Sequence, residues 1–301
     1  MGNHPKVFAV VVSYNGTKWL DRCLGSLEKS EAQISIIVVD NASTDGTPDY
    51  ITEHFPKVHL IRSKDNLGFA KANNIGIRYA LDNGAEYIFL LNQDAWIENS
   101  TIACMIETFG EFDDVGIVSP IHMNGTGDAL DWGFCGYVPA EFVSDSYLGK
   151  LQDHYICDFV NAAAWLVKRN CIEKVGGFDT SMFTHYGEDS NYCQRLKYHN
   201  FRIAINTRCF AFHDRGFRKG NEQEYRNSVF SQTDVNRRLE FANILYDIDV
   251  QSFIDQTKRS IKKSYLKLKF AQTKRLKKDL EFYWKVKQSR ETNRIGGPNW
   301  L

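Results

Sequence analysis

Apolar and polar positions divide the first 120 residues into a regular alternation. VFAVVVS from Val7, ISIIVVD from Ile34, HLIR from His59, YIFLLN from Tyr87 and VGIVSP from Val115 are short apolar runs that stop at turn-forming or polar residues. Runs of this length, rich in Val and Ile, mark strands buried on both faces. The intervening segments carry helical spacing instead. Trp19, Leu20, Cys23, Leu24 and Leu27 follow Thr17, which fits an N-cap. A polar loop, NASTDGT, leads into a second helix. FAKANNIGIRYALDNG offers Ala72, Ile75, Tyr79 and Ala80 to a core, and IENSTIACMIETFGEF starts near a cap at Asn99 or Ser100. Strand and helix in this rhythm predict an α/β fold: an open, mostly parallel sheet with helices on both faces.

The rhythm breaks near residue 121. Residues 121–168 are richer in glycine and aromatics and read as strands mixed with loops. NCIEKVGGFD predicts a short helix with a glycine stop, EDSNYCQRLKYHN a longer one, and FRIAIN and RCFAFHD two further strands. From Asn236 the pattern is helical. Ile261, Tyr265, Leu268, Leu276, Leu280 and Tyr283 recur at helical intervals and predict one apolar stripe. The expected organisation is a domain over 1–235 and a helical extension over 236–301.

Composition changes this picture little, and charge changes it more. The 301 residues are 43% hydrophobic and 25% charged, which excludes a disordered chain. The N-terminal run is short and lacks a basic leader, and no stretch reaches the ~18 apolar residues of a spanning helix. Seven widely spaced cysteines without a C-x-x-C point to free thiols. Together these features predict a cytoplasmic protein. The formal net charge is zero, but residues 258–301 hold 14 Lys or Arg against 3 Asp or Glu, a net of +11 balanced by −11 over residues 1–257. Two readings of the basic extension stay open. Its stripe packs on the acidic body or on a second copy, or it meets an anionic membrane surface at the inner face of the membrane.

In an open α/β sheet, ligands bind beyond the carboxyl ends of the strands. Those ends carry Tyr14 and Asn15, then Asp40, Asn41 and Asp45, then Asp65 and Asn66, then Asn92 and Asp94. One such residue is an ordinary turn former. Four successive ends describe a polar cleft with carboxylates able to hold a hard cation. No G-x-G-x-x-G follows the first strand and no G-x-x-x-x-G-K-[ST] occurs, so a divalent metal is the expected means of neutralising a diphosphate.

VVVSYNG, VVDNASTDGT, DNLGFAKANNIGI, LLNQDAWI and VGGFDTSMFTHYGEDSNYCQRL, in that order, closely resemble the family 2 glycosyltransferases of the GT-A fold, over about residues 5–215. Within it the chain is most similar to bacterial rhamnosyltransferases of polysaccharide assembly. The resemblance implies an inverting transferase that moves a sugar from a nucleotide diphosphate sugar donor to a hydroxyl of a glycan or lipid-linked acceptor. It implies Mg²⁺ or Mn²⁺ as cofactor. Tyr14, with Asn15 beside it, and Asp40 match positions that hold the nucleotide base; Asn66 and Asn73 match the loop and helix near the nucleotide. Asp94 matches the last acid of a D-x-D metal element, and Asn92 stands at its first. Asp189 matches the general base, with Glu188 as its acidic neighbour, and His213 matches a histidine that completes the metal site.

Each residue also has a plainer reading. Asp189 and Glu188 at a helix start complement the helix dipole. His213 could be a satisfied polar histidine, and Trp132 and Trp165 could be core rather than sugar platforms. Asn191 replaces a second acid of the family's E-D-x-D, and Asn161 replaces a small residue. Two other functions compete: a nucleotidyltransferase on a similar sheet, disfavoured by the missing glycine-rich basic loop, and a non-catalytic carbohydrate-binding protein that kept the fold. No nucleic acid is expected as a partner.

Overall fold

The computed structural model describes residues 5–184, 186–215 and 232–301. Its elements follow the predicted alternation. Strands β1 (Val7–Ser13), β2 (Ile34–Asp40), β3 (His59–Arg62) and β4 (Tyr87–Asn92) are connected by helices α1 (Thr17–Glu28), α2 (Thr47–His54) and α3 (Gly68–Asp82). Then come β5 (Ala95–Ile97), α4 (Thr101–Glu111), β6 (Val115–Asn124), α5 (Trp132–Cys135), α6 (Ala140–Tyr147), β7 (His154–Cys157), β8 (Ala164–Lys168), α7 (Arg169–Val175), α8 (Glu188–Tyr198) and β9 (Arg202–His213). Three more helices close the chain: α9 (Gln232–Ala242), α10 (Val250–Leu266) and α11 (Phe270–Ile295).

The strands form one sheet in the order β3-β2-β1-β4-β8-β6-β9-β5, with β7 also on β9. The longest ladders, β6 with β9, β1 with β2 and β1 with β4, are parallel. β8 is inserted antiparallel between β4 and β6, and β5 is antiparallel to β9. Alternation along β1 feeds two cores. Val7, Ala9 and Val11 meet α1, α2 and α4 on one face; Phe8 and Val10 meet α3, α7 and α8 on the other. The approach of α3 to the sheet is close: a Cβ at Gly76 would lie 2.3 Å from Val10 Cγ1.

Three expectations are corrected. Thr17 is the first residue of α1, not its cap; Gly16 occupies the cap position, and the Thr17 hydroxyl donates to Asp45 Oδ2 at 2.9 Å. FRIAIN and RCFAFHD are one strand, β9. Asn206 pairs with Pro120 and Phe210 with Ile121, so the three residues between them bulge out of the ladder. Asn206 pins that bulge: its Nδ2 donates to Thr108 Oγ1 at 3.0 Å, and its Oδ1 accepts from Arg208 N at 2.9 Å. The stripe through Ile261 and Tyr283 is not on one helix, because α10 and α11 form a hairpin turning at Lys267–Lys269, with Leu268 at φ 53°. Trp165 follows its plainer reading: it is fully buried against Phe178 and Tyr192 and belongs to the core.

The C-terminal helices pack on residues just ahead of α8. Met182 and Phe183 share a small core with Ala242, Val250, Ile254 and Val286. Beside it lies Asp179, fully buried. Its Oδ1 accepts from Ser181 N at 2.9 Å and Ser181 Oγ at 2.6 Å; its Oδ2 accepts from Ser289 Oγ at 2.5 Å and Asn293 Nδ2 at 3.0 Å. The end of the chain is tied down further back, where Asn74 Nδ2 donates to Trp300 O and Arg78 Nη2 to Leu301 O. Asp179→Ala would strand several buried donors and is expected to cost about 2–4 kcal/mol in urea unfolding. A loss under about 0.5 kcal/mol, the scale of an ordinary surface change, would contradict this account.

Candidate active site

The carboxyl ends of β1, β2 and β4 open onto one polar rim. Asp40, the last residue of β2, is buried, and its Oδ1 accepts from Ser13 Oγ at 3.0 Å and Ser43 Oγ at 2.5 Å. Its Oδ2 accepts from Ser43 N at 3.1 Å. Asn15, at φ 47°, accepts from Thr44 N at 2.8 Å, which ties the β1 loop to the β2 loop. Asn66 Oδ1 accepts from Asn41 Nδ2 at 2.8 Å and Gly68 N at 3.0 Å, shaping the entry to α3. Asn73 is buried in α3, its Nδ2 donating to Phe69 O at 3.0 Å. Tyr14 leaves its ring exposed while its backbone is clamped by a residue that sequence reasoning missed. Gln93 Oε1 accepts from Tyr14 N at 2.8 Å, and Gln93 Nε2 donates to Tyr14 O at 3.0 Å. A glutamine between Asn92 and Asp94 carries no pattern that announces this role.

Asp94 follows β4 and is fully buried. The structure brings it to His213, the last residue of β9: Asp94 Oδ1 lies 3.4 Å from His213 Nε2. Two further residues complete a cluster. Asp131 Oδ2 is 3.7 Å from His213 Nδ1, and Arg215 Nε reaches Asp131 Oδ2 at 2.8 Å and His213 Nδ1 at 3.2 Å. Neither Asp131 nor Arg215 was singled out from the sequence; Arg215 lies just past FAFHD, but nothing in spacing ties Asp131 to it. The exposed ring of Trp132 lies under the Arg215 guanidinium at 5.4 Å, so this tryptophan borders the cluster. Asn92 ends β4 with its backbone N–H on Ala163 O at 2.9 Å.

The donor set fits a hard divalent cation. His213 Nε2 is buried and makes no hydrogen bond, and it faces a carboxylate oxygen. With Arg215 on Nδ1 the imidazole proton sits on Nε2; moved to Nδ1, it points at Asp131 and leaves the Nε2 lone pair toward Asp94. Among the described residues no group of three or more His, Cys, Asp or Glu could hold a metal alone. A magnesium-like ion is commonly held by one or two protein ligands together with substrate phosphates and water.

α8 supplies the second wall. Gly187, at φ 92°, turns the chain into the helix, and Glu188 and Asp189 occupy its first turn. Burial first, and the Asp189 charge second, push the Glu188 carboxyl up to about 8. Burial also raises the Asp189 pKa, opposed by the Ser190 N–H, which donates to Oδ1 at 2.7 Å, and by the Ala162 N–H. Tyr137 connects the walls. Burial raises its hydroxyl pKa, and it lies within electrostatic reach of Asp131, Arg215 and Asp189 together. Its hydroxyl is 3.3 Å from His122 Nδ1, in a ring that burial, His213 and Arg215 push down to about 3, keeping it neutral. Asn191 points inward, its Oδ1 accepting from the buried Arg195 Nε at 3.0 Å.

Known proteins resemble this chain in sequence and in fold. The dTDP-rhamnosyl transferase RfbF of Shigella flexneri is 28% identical over 200 residues, 66% of each chain. The N-acetylglucosaminyl-diphospho-decaprenol L-rhamnosyltransferase of Mycobacterium tuberculosis is 24% identical over 212 residues, 62% of this chain and 69% of that one. The chain thus spans about two thirds of the length of these relatives. Among solved structures, the mannosyltransferase PcManGT from Pyrobaculum calidifontis in complex with GDP-Man and Mn²⁺ matches with a TM-score of 0.53 at 16% identity. That match covers 96% of this chain and 87% of that one and is a likeness of fold. The family model described as glycosyl transferase family 2 matches residues 8–176, more than half of the sequence, and the chain belongs to that family.

Proposed function

We propose that the protein is an inverting, metal-dependent glycosyltransferase that moves a sugar, rhamnose by its relatives, from a nucleotide diphosphate donor to a hydroxyl of a glycan or lipid-linked acceptor. The observation that carries this reading is the buried Asp94–His213 pair, 3.4 Å apart at the carboxyl rim of the sheet and backed by Asp131 and Arg215. Support also comes from the relatives named for rhamnosyl transfer and from the Mn²⁺ in a neighbour of like fold.

In this reading the Tyr14 ring and Asp40 hold the base, and the loop shaped by Asn15 and Asn66 borders the nucleotide, with Asn73 beneath it. Asp94 and His213 hold the cation, with Asn92 next to the donor. When bound, the cation neutralises charge on the departing diphosphate. Asp189 takes the proton of the acceptor hydroxyl as its oxygen bonds to the anomeric carbon and the bond to the diphosphate breaks on the opposite face. A raised pKa suits Asp189 to that task, since a base works best near the operating pH. Glu188, held protonated by burial at neutral pH, supplies no second negative charge beside it. The Trp132 ring offers an exposed face for a sugar.

Three outcomes are expected. With a panel of nucleotide sugars, dTDP-rhamnose included, turnover should require Mg²⁺ or Mn²⁺ and stop on chelation, and Asp94→Ala should remove metal-dependent donor binding. Full turnover in excess chelator would overturn the metal site. Asp189→Asn should lower kcat by about 10²- to 10⁴-fold with donor affinity little changed. A mild Asp189→Asn beside a crippling Glu188→Gln would exchange their roles. The third outcome concerns stability. The Glu188 carboxyl titrates near 8 when folded and at its ordinary 4.5 when unfolded. Between those values the folded state keeps a proton that the unfolded state has released, so stability falls as pH rises through the interval. Urea unfolding of Glu188→Gln should show a flatter slope and greater stability than wild type at the upper end. An unchanged slope would rule out the buried, protonated glutamic acid.

A further inference from the structure

The α10–α11 hairpin has a root and a tip of different character. At the root, Ile254 and Val286 are buried with Met182 and Phe183 of the catalytic body. Beyond Ile254 the two helices pack on each other, and near the turn Ser264 Oγ lies 2.7 Å from Thr273 Oγ1. Leu266 lies twelve helical steps beyond Ile254, so the turn stands ~18 Å past that apolar anchor.

Three side chains at that turn are apolar and largely exposed, and beside them the Tyr265 ring lies under Lys277 Nζ at 5.4 Å. Tyr265 is 46% exposed, Leu266 86%, Leu268 72% and Phe270 66%. Three large apolar side chains and a neighbouring tyrosine held in water at a hairpin tip call for an occupant. Residues 258–278 surround them with ten Lys or Arg and no Asp or Glu. All ten are exposed, and none forms an ion pair with a described residue.

We propose that the α10–α11 turn is a membrane-docking tip, in which Leu266, Leu268, Phe270 and Tyr265 enter the interface of an anionic bilayer and the ten surrounding cations lie against its headgroups. A second copy of the chain fits less well. Four side chains fall short of the ~800 Å² per partner of a stable interface, and two such tips would repel each other. An anionic surface satisfies both features together, since apolar side chains enter the headgroup boundary while Lys and Arg meet lipid charge. The inference goes beyond glycosyl transfer and does not depend on the donor or on the catalytic base.

The test is sedimentation of the full-length protein with vesicles of phosphatidylglycerol and phosphatidylcholine, and with phosphatidylcholine alone. Wild type should sediment with the anionic vesicles only, and less so as salt is raised. Two variants are compared: Leu266→Ser/Leu268→Ser/Phe270→Ser, and Lys262→Gln/Lys263→Gln/Lys267→Gln/Lys269→Gln. All substituted side chains are exposed, so thermal unfolding should match wild type. Each variant should lower the vesicle-bound partition coefficient by about tenfold or more. Donor-sugar binding should be untouched, which separates failure here from failure of the catalytic reading. Wild type that ignores anionic vesicles, or a serine variant that binds as well as wild type, would overturn the proposal. So would a dimer in vesicle-free buffer that either variant abolishes, because the occupant would then be a second copy.

Discussion

A carboxylate with no solvent exposure, at the end of a buried strand, is the constraint around which the site is organised. Ionised, Asp94 needs compensating charge close by. The compensation comes from far along the chain, from His213 with Arg215 and Asp131 behind it. β5 makes the connection. Its three residues begin immediately after Asp94 and pair antiparallel with β9, placing Ala95 opposite His213. The Asp214 N–H then donates to Asp94 O at 2.9 Å, so backbone bonds fix the two side chains at one place. This requires β9 to run the full length of β6, and the Asn206 bulge absorbs the register mismatch on the way.

The parallel half of the sheet was legible because its signal is local. β1, β2 and β4 are unbroken apolar runs, each helix has its own apolar face, and each of these strands ends on its own polar residue. The second half depends on distant pairings. β9 reads as two strands because Asn206, Thr207 and Arg208 interrupt its apolar run, and only the contact with α4 shows that the chain continues. β5 is too short to show a period. The stripe from Ile261 to Tyr283 is a true helical repeat, but the hairpin turn at Leu268 divides it between two helices. Of the site residues, Asp94 and His213 stand together as the family resemblance implies. Asp131 and Gln93 escaped because ordinary turn residues look the same in sequence; what distinguishes them is which atoms they meet.

The same view clarifies the departure at Asn191. Its side chain turns away from the first turn of α8 and receives the guanidinium of Arg195. Arg195 in turn donates to Val175 O at 2.9 Å and Gly177 O at 2.6 Å, gripping the loop that leads to Asp179. An acid at 191 would place a charge beside a buried arginine, whereas the amide offers an oxygen without one. Position 191 therefore bears on how firmly α8 is seated, and through that on how Asp189 is aimed. Asp179 carries the contacts on to Ser289 and Asn293, so α8 and the C-terminal helix grip the same segment, residues 175–179.

Those contacts also bear on the division of charge along the chain. A body of net −11 beside an extension of net +11 would ordinarily collapse together, since opposite charges in contact need no third partner. Here the hairpin is anchored at its root by apolar contacts of Ile254 and Val286 and by hydrogen bonds from Ser289 and Asn293 to the buried Asp179 carboxylate. Its unpaired cations are carried outward on two helices packed against each other. At ~18 Å the tip is about two Debye lengths from its anchor at physiological ionic strength, taking that length as ~8 Å. The acids of the body are then largely screened from the tip, and their repulsion from an anionic surface is weakened in the same way. A root held by the body and a distant tip are what would let opposite charge patterns serve different neighbours on one chain: the proposed cation and diphosphate within the body, and the proposed anionic surface beyond it.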